Sequence, residues 1–319
     1  MSTSPPALPT AVVDTHHHLW RLETGHYPWL QDRYDAAAFF LGDYASLRRD
    51  FDTADYLTQW RRVPGVTLAA TVHVEAERDR AESLAETAWL HAVHREAGFP
   101  NAVIAHVDFL SPTLDDDLRA QLDYPLVRGV RCKPLTAASA DAAAALAGQS
   151  GTLQDPQWRA GLRALADRGL IYDLRVPYWH LEEAAEAIAA VPELDVVVEH
   201  AGLPWDRSPE GLARWRRGLA ALASLPRVSI KLSEFGLPQT PWQRESNVAV
   251  IREVLSLFGA HRCMFASNLP VSGLRASLPE IVATVGAALE GLPASDARAV
   301  WHDNALRIYR ITQQAGASS

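Results

Sequence analysis

The chain is poor in cysteine and has no long apolar run. Of its 319 residues only Cys132 and Cys263 are cysteines, far apart and each within an apolar, strand-like segment. That excludes a disulfide framework and a cysteine-based metal knuckle, and it points to reduced core thiols in a cytoplasmic protein. No stretch approaches the roughly 18 apolar residues of a membrane-crossing helix, so no membrane partner is expected. The opening residues lack the basic start and apolar run of a signal peptide. Basic residues are outnumbered, 30 Lys and Arg against 38 Asp and Glu, for a net charge of −8. That argues against a nucleic-acid partner, which needs a concentrated basic surface, but leaves an anionic small-molecule substrate open. No solenoid period occurs, and no glycine-rich phosphate turn follows the first apolar strand, which disfavours a doubly wound dinucleotide-binding sheet.

What is present is alternation. Short β-branched runs at 11–14, 67–74, 102–107, 127–132, 171–176, 195–200, 228–232 and 263–266 read as eight strands. Between them lie Ala- and Leu-rich stretches with helical spacing, notably 81–96, 158–168, 181–191, 211–222 and 248–258. Strand–helix alternation implies a parallel sheet, and eight units imply closure into an α/β (β/α)8 barrel of TIM type. The chain reads as a single barrel domain over 11–311, with residues 1–10 and 312–319 as disordered ends. An aromatic-rich insertion at 26–66 separates the first two strands and is expected to place a short helix over the barrel mouth. The segment 141–148 reads as a loop or short helix. Trp215 and Trp242 read as exposed aromatics that could mark a homodimer interface.

Chemistry-bearing residues cluster at the carboxyl ends of the strands, where barrel enzymes work. In the first, Asp14, His16 and His18 follow Val12 and Val13. Residues two apart share a strand face, so His16 and His18 point together into the mouth, while His17 points away and packs. Two converging imidazoles suit a metal ion or a polarised carbonyl oxygen. The sixth strand ends in Glu199 and His200, followed by Ala201 and Gly202; His200 takes a site position and Glu199, of opposite parity, is expected to point outward. His73 and Glu75, Arg131 and Lys133, and Asp173 and Arg175 form same-face pairs on the second, fourth and fifth strands, and the seventh ends Lys231-Leu232-Ser233. Charges inside nominally buried strands need partners, either one another or substrate; Arg131 and Lys133 could hold a carboxylate or an oxyanion. Asn268 ends the eighth strand. Its amide cannot act as a general base, but it can orient water or bond a carbonyl. Trp20, Tyr27, Trp29 and Trp179 could wall a ring-shaped substrate.

The ordered set Val13-Asp14-Thr15-His16-His17-His18-Leu19-Trp20, Tyr27-Pro28-Trp29-Leu30, Arg128-Gly129-Val130-Arg131, Tyr172-Asp173-Leu174, Val198-Glu199-His200-Ala201-Gly202-Leu203-Pro204, Lys231-Leu232-Ser233 and Arg262 to Asn268 resembles the lactonase-type branch of the amidohydrolase superfamily. That branch includes fuconolactonases, rhamnonolactonases and pyrone-dicarboxylate lactonase. The resemblance runs from about Val12 to Ile311. It implies a distorted barrel and hydrolysis of a lactone, often without a required metal. It matches His16 and His18 to the first-strand pair and His200 to the sixth-strand histidine. Asn268 stands where these lactonases usually carry the water-activating aspartate, as in a sub-branch with asparagine there.

Two catalytic readings and one non-catalytic one follow. In the first, Arg131 with His16 or His18 polarises a lactone carbonyl, and the base is His200, Glu75 or Asp173. His200 is favoured because a free imidazole titrates near pH 6.5. Substrate contacts are expected from Glu75, Lys133, Asp173, Trp20 and Trp29, with no obligatory cofactor. In the second, His16, His18 and His200 bind one zinc or manganese ion for amide hydrolysis or decarboxylation, the metal lowering the pKa of its water to about 7. In the third, the barrel only binds a ligand.

Overall fold

A computed structural model of the chain describes residues 9–312. The ends expected to be disordered lie outside these residues, except for 9, 10 and 312. Eight parallel strands pair in sequence order: β1 (Ala11–His17), β2 (Thr67–Val74), β3 (Ala102–Ala105), β4 (Val127–Val130), β5 (Ile171–Leu174), β6 (Val196–Val198), β7 (Val228–Leu232) and β8 (Cys263–Phe265). Helices alternate with them on the outside, as the apolar periodicity requires. Two start from a capping side chain followed by proline: Asp155 accepts from the Gln157 amide before helix Pro156–Asp167, and Ser208 from the Gly211 amide before helix Pro209–Ala223. The 141–148 segment contains one short helical turn, Ala143–Leu146. Among the described residues no helix is long and apolar enough to cross a membrane.

The barrel closes incompletely. From β1 to β8 neighbours pair by backbone ladders, but β1 meets the end of β8 through a single bridge, His17 to Leu269. Asp14 reinforces that seam, accepting from the Ser267 amide at 2.8 Å, the Ser267 hydroxyl at 2.6 Å and the Tyr56 hydroxyl at 2.7 Å. Inside the barrel, Val13, Val72, Ile104, Ile171, Val197 and Met264 form one cluster, and Ala305, Tyr309 and Ile311 from the C-terminal segment join it.

The insertion behaves as expected, carrying a four-residue helix, Pro28–Gln31, and a longer one, Thr53–Trp60. Trp29 stacks on Phe39 at 5.9 Å, and Phe40 reaches Trp205 at 5.7 Å. The tryptophans expected at the surface do not lie there. Trp215 is 1% exposed and donates to the Ala201 carbonyl, because the helix carrying it turns that face to the barrel; Trp242 is half-buried and donates to Thr284.

Candidate active site

Strands β3 to β6 and β8 end one or two residues earlier than the apolar runs suggest, and the chain beyond them builds the site. Several residues just beyond strand ends have left-handed backbones without being glycine: Glu77 after β2 (φ 56°), His200 after β6 (φ 58°), Glu234 after β7 (φ 52°) and Asn268 after β8 (φ 52°). Such conformations cost about 1–2 kcal/mol each in L-residues and gather at functional sites.

At β6 this geometry overturns the expected parity. Val197 belongs to the inner cluster, so Glu199, two residues on, also faces inward and is 1% exposed. His200 would face outward by alternation, but its positive φ swings the ring back to the mouth. Glu199 therefore joins the site. Its carboxylate accepts from Arg131 at 3.2 Å and lies 3.5 Å from His16 Nδ1. Burial pushes its pKa up, but Arg131, Lys231 and Arg175 together hold it below the usual range. At β2 the expected pairing also parts. His73 shares its parity with the outer-core Val103 and accepts from the Leu19 amide at 2.9 Å, whereas Glu75 turns to Arg131.

Arg131 is enclosed rather than free. Its Nε donates to Glu75 at 2.7 Å, one Nη to the Glu75 carbonyl at 2.5 Å and the other to Glu199. Glu75 also receives Arg80 at 3.0 Å; burial pushes its carboxyl up, and the cations beside it pull it well below the ordinary range. Arg131 still touches the mouth cavity, but most of its donors are committed, and Glu75 does not line that cavity. Asp173 lies deeper, ion-paired with Lys231 and accepting from Tyr309 at 3.2 Å, so it is not a cavity group either.

The histidines are ordered by their partners. His18 Nδ1 sits 2.8 Å from the Val74 carbonyl and so carries the proton, leaving Nε2 as an acceptor. His16 Nδ1 lies between the Lys231 ammonium at 3.3 Å and the Glu199 carboxylate at 3.5 Å; with Nδ1 accepting from the nearer ammonium, its Nε2 carries a proton toward His18 Nε2, 3.2 Å away. These tautomers are assigned from the network. Burial first, then the surrounding cations, holds both well below 6.5. His200 bonds Ser233 at 2.9 Å, and burial with Arg175 and Arg131 holds its pKa well below 6.5, contrary to the expected titration near that value. His17, as expected, packs outward, stacked on Tyr56.

The cavity at the mouth encloses about 460 Å³. Its polar wall is His18, His200, Asn268, Arg131, Lys133, Arg175 and Glu77; its aromatic wall is Trp29, Phe39, Phe40 and Trp205. His16 lies just behind, its ring 4.5 Å from that of His200. Of the aromatics expected there, only Trp29 lines the cavity. Trp20 is fully buried and donates to the Arg49 carbonyl, Tyr27 is buried, and Trp179 stands one layer back against Trp205. Lys133 pairs with Glu77. Arg175 has no carboxylate within ion-pair distance among the described residues and rests over the Phe40 ring at 5.3 Å. Glu77, Glu234, Trp205 and the Phe39-Phe40 pair were not singled out by sequence reasoning. The signal for Glu234 was the charge directly after Lys231-Leu232-Ser233; its left-handed backbone had no glycine to announce it.

The donors present fit a single divalent cation in type and spacing. Two imidazole nitrogens on a tetrahedral zinc stand about 3.3 Å apart, given Zn–N bonds of about 2.05 Å, and the Nε2 atoms of His16 and His18 are 3.2 Å apart. His16, Glu199 and His200 also offer ligand atoms within 4.8 Å of one another.

The chain is similar to known proteins along nearly its whole length. The family described as Amidohydrolase matches residues 13–311. A protein of Sinorhizobium fredii named y4mH is 34% identical over 301 residues, covering 94% of this chain and 99% of the relative. An L-fucono-1,5-lactonase of Burkholderia multivorans is 28% identical over 317 residues, covering 96% and 98%. A crystal structure of an amidohydrolase from the same organism, with bound zinc, superposes with a TM-score of 0.77 at 26% identity, covering 95% of this chain and all of that one.

Proposed function

The chain belongs to the amidohydrolase family, and from that premise we propose that it is a hydrolase that opens a lactone by attack of water on the ring carbonyl, without an obligatory metal. The observation that carries this reading is the meeting of His18, His200 and Asn268 with an unpaired guanidinium, Arg175, in one aromatic-walled cavity large enough for a single ring. The resemblance of the whole chain to a protein named as a fuconolactonase supports the substrate class.

Arg175 takes the carbonyl-polarising role that the sequence suggests for Arg131, because its donors are uncommitted. Asn268 orients the water. As the water oxygen bonds to the carbonyl carbon, its proton passes to His200, which is neutral across the ordinary pH range, and the π pair moves onto the carbonyl oxygen beside Arg175. Collapse of the adduct breaks the ring C–O bond, and the proton on His200 returns to the departing ring oxygen. The product is a hydroxy acid.

The charges around the histidines support metal independence. Arg131 is paired with Glu75 and Glu199, Lys133 with Glu77 and Lys231 with Asp173, Arg175 adds a further, unpaired positive charge, and an ammonium already faces His16. Asn268 adds no charge to offset a dication. The alternative is a single zinc or manganese ion held by His16, His18 and His200, supplying Lewis-acid polarisation and an activated water to an amide hydrolase or decarboxylase. A cytoplasmic setting, fitting two unpaired buried cysteines, belongs to the same proposal.

The test is proton release from aldonic, pyrone-type and simple γ-lactones by chelator-treated protein. We expect turnover without added metal and a loss of about 10²–10⁴-fold in His200→Asn. Activity that returns only with zinc or manganese would replace this reading with the metal one, and His200→Asn within about threefold of wild type would remove His200 as the proton acceptor.

A further inference from the structure

The eighth strand ends in an amide where a carboxylate would be the simpler device, and the structure places a carboxylate directly behind it. Asn268 Nδ2 donates to Glu234 Oε2 at 2.5 Å, and the Ser272 hydroxyl donates to the same oxygen at 2.8 Å. Glu234 is 3% exposed and Asn268 2%. Asn268 lines the mouth cavity, whereas Glu234 does not. Asn268 Oδ1 has no hydrogen-bond partner among the described residues.

We propose that Glu234 is a positioning residue: by taking the amide N–H of Asn268, it commits that side chain to present its carbonyl oxygen to the cavity, where it accepts a hydrogen bond from the attacking water. The inference rests on the lactone-opening reading for the water, but the amide orientation itself does not.

An asparagine amide has two nearly isosteric orientations, and only its partners decide between them. Glu234 Oε2, which already accepts from the Ser272 hydroxyl, offers Asn268 an acceptor, so it selects the N–H end and leaves the oxygen for the cavity. With the other end forward, Asn268 would donate to the water, drawing density from its oxygen and so weakening the nucleophile, and would no longer accept from it. Glu234 and Asn268 both hold left-handed backbones at consecutive strand ends, conformations that residues without glycine's freedom keep only when their surroundings enforce them. A carboxylate buried merely to fill space would not need that strain. One cation acts on the pair, Arg175 across the cavity. Burial raises the Glu234 carboxyl above its usual range, opposed by the bonds from Ser272 and Asn268 and by Arg175, so the hydrogen-bond geometry at Oε2, and not the charge, carries the orientation.

The test uses the full chain and two readouts. In ¹⁵N-labelled protein without substrate, the Asn268 side-chain NH₂ signal, identified by its loss in Asn268→Asp, is expected downfield as its short bond to Glu234 requires, and to move in Glu234→Gln. In the hydrolysis assay, Glu234→Gln is expected to lower kcat by about 10–100-fold with KM within about threefold, since only water orientation is lost. The double variant Glu234→Gln/Asn268→Asp is expected to recover at least about tenfold over Glu234→Gln alone, because a carboxylate presents oxygen in either orientation and glutamine can donate to it. Ser272→Ala, which removes the other donor to Glu234, checks the resonance should Glu234→Gln fold poorly. An unmoved Asn268 signal in Glu234→Gln would overturn the proposal, as would additive losses in the double variant. If no lactone is turned over, the lactone reading fails and the resonance alone decides the orientation.

Discussion

Lys133 illustrates how neighbours set a side chain's chemistry. It stands half-buried on the cavity wall, bonded to Glu77, with Arg131 and Arg175 on the same wall. Burial lowers its pKa to about 8; the Glu77 carboxylate pulls it back up, and the two arginines push it down. The ammonium therefore dominates below pH 8 and is lost above it. If that charge helps to hold the developing oxyanion or the product carboxylate, kcat/KM falls as pH rises through about 8. Lys133→Arg keeps its charge over that range and should remove the alkaline limb. Profiles from pH 6.5 to 9.5 for both proteins check this, and an identical limb in the arginine variant would assign it to another group.

At the scale of elements, the strands were legible and their ends were not. Eight runs of β-branched residues marked eight strands, because a barrel strand covered on both faces must be apolar on both. The first-strand histidines were separated correctly, His18 at the cavity, His16 behind it and His17 outward, because the alternation holds locally from His16 to His18, although β1 is irregular between Asp14 and His17. At β6 the same counting failed: it assumed that alternation continues through His200, whereas the strand stops at Val198 and a left-handed residue follows. Alternation from Val197 set Glu199 inward, the turn swung His200 to the same side, and Glu199 became the partner that removed Arg131 from carbonyl duty. Ion pairing across strands depends on register, which local sequence does not state. Register can be tested at Gly129 in β4, where a Cβ would lie 2.4 Å from the Ile171 carbonyl and 3.0 Å from Ile104 Cδ1. Gly129→Ala must spread β4 from β5 and is expected to cost about 1–3 kcal/mol, read from the urea midpoint. An unchanged midpoint would mean that this pairing gives way freely.

The whole molecule is a cylinder whose one weak joint runs beside its candidate site. Seven strand pairs are held by backbone ladders. The eighth junction relies on the bonds from the Asn268 amide to the His16 carbonyl at 2.7 Å and from the His18 amide to the Leu269 carbonyl at 2.8 Å, together with the Asp14 carboxylate. Asp14 is fully buried and ties Ser267 to Tyr56 of the insertion, so one side chain joins β1, the end of β8 and a covering helix. Asp14→Ala would leave the Ser267 and Tyr56 donors without their acceptor inside the protein, at about 1–3 kcal/mol for each group left unpaired. The loss should be local before it is global. Amide hydrogen exchange is expected to speed up most at 15–18 and 267–269, with β4 and β5 keeping their protection until the protein unfolds as a whole. Because His16, His18 and Asn268 flank this joint, lactone turnover should fall in the same variant even below its melting temperature. Uniformly faster exchange around the barrel would instead mean that Asp14 supports global stability alone, and that the seam is no weaker than the ladders.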